Sequence, residues 1–130
     1  MKALTTLTLF TNDFDQSIAF YSKWLGFVIS YEWNKPGDER IVRMQNENYR
    51  IGLSLKTPRT EWEKQLVGKQ AGDEHLLGFQ VKNLAQHYNE LLLAGAPFTR
   101  ELASPPFGDF AYLEDPGGNK IFLAEYWVET

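Results

Sequence analysis

Asn12-Asp13-Phe14-Asp15-Gln16-Ser17-Ile18-Ala19-Phe20-Tyr21, with Leu25-Gly26-Phe27 just beyond, carries the helical pattern on which the architecture turns. Phe14, Ile18, Tyr21 and Leu25 recur at helical spacing; Asp13 stands where a cap belongs, and Gly26 stops the run. At an offset of 70 residues the pattern returns. Asn83-Leu84 falls on Asp13-Phe14, Leu84, Tyr88 and Leu91 form the stripe, and Gly95 is the stop. The same offset lays Arg50-Ile51-Gly52-Leu53 over Lys120-Ile121-Phe122-Leu123. It also lays the turn-rich Gln45-Asn46-Glu47-Asn48 against Asp115-Pro116-Gly117-Gly118-Asn119. The chain is written twice.

Each half reads strand, helix, strand, strand, strand, which predicts an α+β fold of two βαβββ modules in one chain. The first half places strands near Leu4–Phe10, Phe27–Trp33, Arg40–Met44 and Tyr49–Lys56. The second places them near Leu76–Val81, Phe98–Leu102, Asp109–Leu113 and Lys120–Tyr126. Residues 57–74 are polar, carry Pro58, Gly68 and Gly72, and read as a linker with a short helix pairing Trp62 with Leu66. Module 1 therefore spans about 1–56 and module 2 about 75–130 of a single domain. A half of about 60 residues buries too little apolar surface to stand alone.

Composition narrows the function. The chain has 130 residues, 43% hydrophobic and 23% charged, which describes a globular protein and not a disordered one. No apolar run approaches the roughly 18 residues of a membrane helix, and no signal-peptide pattern follows Met1-Lys2. Zero cysteines exclude thiol catalysis, zinc ribbons and iron–sulfur clusters, and fit a cytoplasmic location. A net charge of −4, with Lys and Arg spread along the chain, argues against nucleic acid. Aromatic residues make up 15%. That suits either a heavy core or a cleft walled by rings.

Strand parity assigns faces. Odd positions carry Leu7, Leu9, Ile51, Leu53, Leu55, Leu77, Phe79, Val81, Ile121 and Leu123, an apolar seat for the helices. Even positions carry Thr6, Thr8, Phe10, Gly52, Ser54, Leu76, Gly78, Gln80, Phe122, Ala124 and Tyr126. Small and polar residues mixed with rings describe a ligand cleft better than a solvated surface.

The segments Asn12–Tyr21, Leu25-Gly26-Phe27 and Leu113-Glu114-Asp115-Pro116-Gly117-Gly118-Asn119-Lys120-Ile121 resemble the vicinal oxygen chelate superfamily of glyoxalases, extradiol dioxygenases, fosfomycin-resistance enzymes and bleomycin-binding proteins. The resemblance implies that the modules form a curved, barrel-like mixed sheet around a cleft. In metal-dependent members a divalent cation takes His, Gln or Glu ligands from the first and last strand of each module. Those positions carry over to Thr6, Gly52, Leu76 and Phe122. Gly, Leu and Phe offer no lone pair and Thr one neutral hydroxyl, so the expected metal site is none and no cofactor is implied. His75 and Glu125 lie one residue from ligand positions, but odd parity turns both toward the helices; His75 then reads as a polar strand-start residue. His87 falls on the solvent side of the second helix.

No catalytic residue can be named: the chain has no Gly-x-Ser-x-Gly and no phosphate loop. Asp13 and Asp15 suit helix caps, and Asp115–Asn119 suits a hairpin turn. Arg40, Arg43 and Arg100 suit surface salt bridges, the commoner fate of such residues, or the orientation of an anionic ligand. Trp33, Phe107, Phe110 and Tyr112 border the cleft in related folds. The leading reading is a metal-free, bleomycin-resistance-like protein that binds a small aromatic or amphipathic molecule, with Thr6, Thr8, Gly52, Ser54, Leu76, Gln80, Phe122 and Tyr126 as ligand contacts. The alternatives are a metal-dependent lyase or dioxygenase with unusual ligands, and a metal-free enzyme. Related proteins commonly pair, so a homodimer is the expected assembly, with modules pairing within a chain or swapping between chains.

Overall fold

The structure is a computed structural model that describes residues 2–35, 37, 39–46 and 51–126. The chain divides into two compact units, Met1–Gln70 and Ala71–Thr130. The first holds β1 (Thr6–Phe10), α1 (Phe14–Leu25), β2 (Phe27–Asn34), β3 (Arg40–Asn46), β4 (Gly52–Lys56) and α2 (Glu61–Leu66). The expected hairpin tip at Glu47-Asn48 and strand start at Tyr49-Arg50 lie outside the described residues.

The quoted helix forms for the reasons its sequence suggests. The Asp13 carboxylate accepts the Gln16 amide at 3.0 Å, and Gly26, at φ 73°, closes the helix by donating to the Tyr21 carbonyl. α1 buries Phe20 and Tyr21, whose rings meet edge to face at 5.1 Å; Tyr21 meets Phe27 in the same way at 6.0 Å. The sheet order is β1-β4-β3-β2, with β1 parallel to β4 and the other pairs antiparallel. Register sets Val42 opposite Leu55 and Met44 opposite Leu53, and all four are buried. Gln70 covers the β1 edge: its amide donates to the Thr8 carbonyl at 2.7 Å and accepts the Phe10 amide at 2.9 Å.

The second unit holds β5 (His75–Gln80), α3 (Leu84–Leu93), β6 (Gly108–Glu114) and β7 (Lys120–Tyr126), in sheet order β5-β7-β6. The strand expected at Phe98–Leu102 does not form. Two isolated bridges, Phe98 to Leu113 and Ala103 to Phe110, replace it. Between them this segment takes five steps against three on β6, so it bows out of the ladder. Pro97, Pro105 and Pro106, which lack an amide donor, flank it. The α+β class holds. Among the described residues the strands form one four-stranded and one three-stranded sheet, each with two edge strands, so neither sheet closes on itself.

α3 begins without a side-chain cap at Asn83, which sits in the left-handed region at φ 56°. Glu125 serves instead: its carboxylate accepts the Asn83 and Leu84 amides at 2.8 and 3.2 Å. This is the side of β7 that parity assigns to it. Among the described residues no helix is long and apolar enough to cross a membrane.

Candidate ligand-binding faces

On the second sheet the even side of β6 and β7 gathers rings. Phe110 lies 6.4 Å from Tyr112, 6.0 Å from Phe122, 5.6 Å from Tyr126 and 5.5 Å from Phe107, between centroids. Phe110 is buried, Tyr112 and Phe122 are half-buried, and Tyr126 and Phe107 are exposed. The row thus runs from core to solvent. Phe122 finds room because its ladder partner is Gly78: a Cβ there would strike the far edge of the Phe122 ring. Ala124 is buried, and Gln80, at the strand end, is exposed.

His75 corrects the parity reading. Its ring lies 5.4 Å from Tyr112 and 5.6 Å from Phe122, on the face of the aromatic row and not on the helix side. The cause is a bulge. His75 pairs with Lys120 and Leu77 with Ile121, so two steps on β5 oppose one on β7, and Leu76 is the extra residue. A bulge reverses the face of the residue before it while Leu77 and Phe79 keep theirs, which a uniform register slip does not do. The register also brings Gly78, not Leu76, opposite Phe122, whereas in the first unit Thr6 pairs with Gly52. Beside His75 the bowed segment holds the Arg100 guanidinium 3.5 Å above the Tyr112 ring centre. These three line a cavity of about 270 Å³ with Thr99, Glu114 and Lys120.

On the first sheet the even side is polar. Thr6 and Thr8 are exposed, Gly52 is buried and Ser54 half-buried. Arg43 lies across this face. Its guanidinium donates to the Thr6 hydroxyl at 2.6 Å and to the Thr5 carbonyl at 3.0 Å. Arg40 belongs to the opposite side, where it pairs with Glu32 at 3.0 Å and stacks 4.8 Å from the Phe14 ring centre. Trp33 and Tyr31 lie on the edge strand β2 and are exposed. His87 is exposed and stands 3.4 Å from Glu90, as expected of a surface residue.

The residues present do not fit a divalent metal. Thr6 and Gly52 are adjacent in the first ladder, yet the space beside Gly52 is filled by a guanidinium. The matching space in the second unit is filled by the Phe122 ring, with one imidazole nearby. A cation needs several anionic or imidazole donors, and a guanidinium repels it. Among the described residues no three His, Cys, Asp or Glu side chains gather to hold an ion.

Two strand–helix–strand units, one with a sheet face of rings and the other with a face of hydroxyls and a guanidinium, define a glyoxalase-like α+β scaffold. The chain belongs to the Glyoxalase/Bleomycin resistance protein/Dioxygenase superfamily, whose family profile matches residues 3–123. It is 29% identical over 123 residues to an uncharacterized protein of Shewanella frigidimarina (strain NCIMB 400), covering 91% of this chain and 89% of that one. Among solved structures it is similar to UcmS2, with a TM-score of 0.76 and 25% identity over 96% of this chain and 99% of that chain. It is also similar to TnmS3, an antibiotic binding protein from Streptomyces sp. CB03234, with a TM-score of 0.73 and 17% identity, covering 97% of each chain.

Proposed function

We propose that this chain binds a small aromatic or amphipathic molecule without a metal ion, in the manner of bleomycin-resistance proteins. The observation that carries this reading is Phe122. Where metal-dependent relatives place a carboxylate, this chain places a ring, seated over Gly78 and continuous with Phe110 and Tyr126. Affinity then comes from burial, about 25 cal/mol per Å² of apolar surface removed from water, and from ring stacking. The antibiotic-binding relative of the same fold supports a binding role. Gln80, Leu76 and Tyr126 on the second sheet, and Thr6, Thr8, Gly52 and Ser54 on the first, are proposed as further contacts. We further infer a homodimer that works in the cytoplasm.

The test is a titration of the purified protein with 2-naphthamide, a neutral fused-ring probe, in excess chelator, read by tryptophan fluorescence. Saturable binding unchanged by chelator is expected. Stoichiometric metal in the purified protein, with binding lost on its removal, overturns the reading.

A further inference from the structure

Three features of the first sheet converge on Arg43. Two of its nitrogens are anchored, one on the Thr6 hydroxyl and one on the Thr5 carbonyl. Gly52 gives it room: a Cβ at that position would lie 2.7 Å from Nη2 and 2.8 Å from Cζ. Finally, among the described residues no carboxylate reaches Arg43, whereas Arg40 is paired with Glu32 and Arg59 with Glu39. Both of its anchors are neutral oxygens.

That combination is costly without a purpose. Holding a long side chain in one geometry gives up rotamer entropy, and neutral acceptors return less than a carboxylate does. A cation fixed in place, with N–H donors to spare, is preorganised for an oxyanion. The surroundings suit one. Ser54 and Tyr31 are the ladder partners of Arg43 on either side, and Thr8 is the partner of Ser54. Hydroxyl groups therefore continue the polar row on one side. On the other side Tyr31 and Trp33 are 56% and 39% exposed.

We propose that Arg43 receives the acidic group of the ligand, which makes that ligand an aromatic carboxylate or a similar aromatic oxyanion. The assignment rests on the small-molecule reading above and names its ligand class. Arg43 lies against Thr6 and Gly52, two positions to which the family resemblance carries the metal ligands of metal-dependent members. Here the positive charge is a side chain of the protein.

The experiment compares 2-naphthoate with the isosteric neutral 2-naphthamide, both at low salt in chelator. The readout is the ratio of their dissociation constants. The native protein is expected to prefer naphthoate by about tenfold, the scale of one charge-assisted hydrogen-bonded contact. Arg43→Gln brings the ratio to near one, and Arg43→Lys, which keeps charge but loses the two-point anchor, falls between. Arg59→Gln removes the same charge from an exposed side chain and leaves the ratio unchanged. An Arg59→Gln effect as large as that of Arg43→Gln would mean long-range charge only, and overturns the assignment. If the native protein binds naphthamide but shows no preference for naphthoate, Arg43 alone is wrong. If it binds neither probe, the aromatic-ligand reading falls and this inference falls with it.

Discussion

Phe122 and Gly78 work as a pair, one supplying the ring and the other the space beneath it. Phe122→Ala is expected to weaken 2-naphthamide binding by roughly 1–3 kcal/mol, the usual worth of one buried ring against an aromatic ligand. Gly78→Ala forces the ring off its seat without removing it, so a smaller loss is expected from the same fluorescence titration. Equal affinities for native protein and Phe122→Ala would place the ligand elsewhere. Phe122 was legible in the sequence because the Asp-Pro-Gly-Gly turn and the repeat fix its register. His75 was not. Its face depends on one extra residue in β5, and the only trace of that is Leu76-Leu77, two adjacent apolar residues that break the alternation. Arg43 was visible only as one of several arginines. Nothing in the spacing tells that Arg40 meets a carboxylate and Arg43 a hydroxyl.

Elements are held by a few polar groups whose loss should be measurable. Glu125 caps α3 from a neighbouring strand, since Asn83 does not cap it. Glu125→Ala is expected to cost about 1 kcal/mol in urea unfolding, typical of a missing helix cap, and Glu125→Gln less, because the amide oxygen still accepts. The turn before β7 depends on Asp115, which is buried and accepts the Gly117 amide at 3.0 Å, the Asn119 amide at 2.8 Å and Asn119 Nδ2 at 2.9 Å. Asp115→Ala strands those donors away from water, so a loss of about 2–3 kcal/mol is expected in the same measurement. A wild-type midpoint for Asp115→Ala would show that the turn forms without it. α1 and the turn before β7 were readable because Asp13 and Asp115 act within their own segments, whereas the cap of α3 comes from a distant strand and left no local trace. The failed strand at Phe98–Leu102 was not, because its apolar pattern says nothing of the two extra residues that lift it from β6.

The proposed dimer is best sought at an edge. Among the described residues β2 pairs only with β3, which leaves one row of its backbone donors and acceptors unpaired along eight residues. Val28, Ile29, Tyr31 and Trp33 are exposed on it at 47%, 45%, 56% and 39%. Natural edge strands are usually short or guarded by charge, and the one charged residue here, Glu32, is engaged by Arg40. A second copy of the chain would meet both needs at once, pairing the backbone and covering Val28 and Ile29, and a two-fold axis would let the same strand serve each subunit. The expected mass by sedimentation equilibrium at tens of micromolar protein is therefore that of two chains. Ile29→Lys and Val28→Lys add a desolvation cost to that interface without touching the buried core, so they should shift the equilibrium toward single chains while circular dichroism stays native. A native protein that sediments as a single chain removes the dimer. A dimer that survives both substitutions moves the interface away from β2.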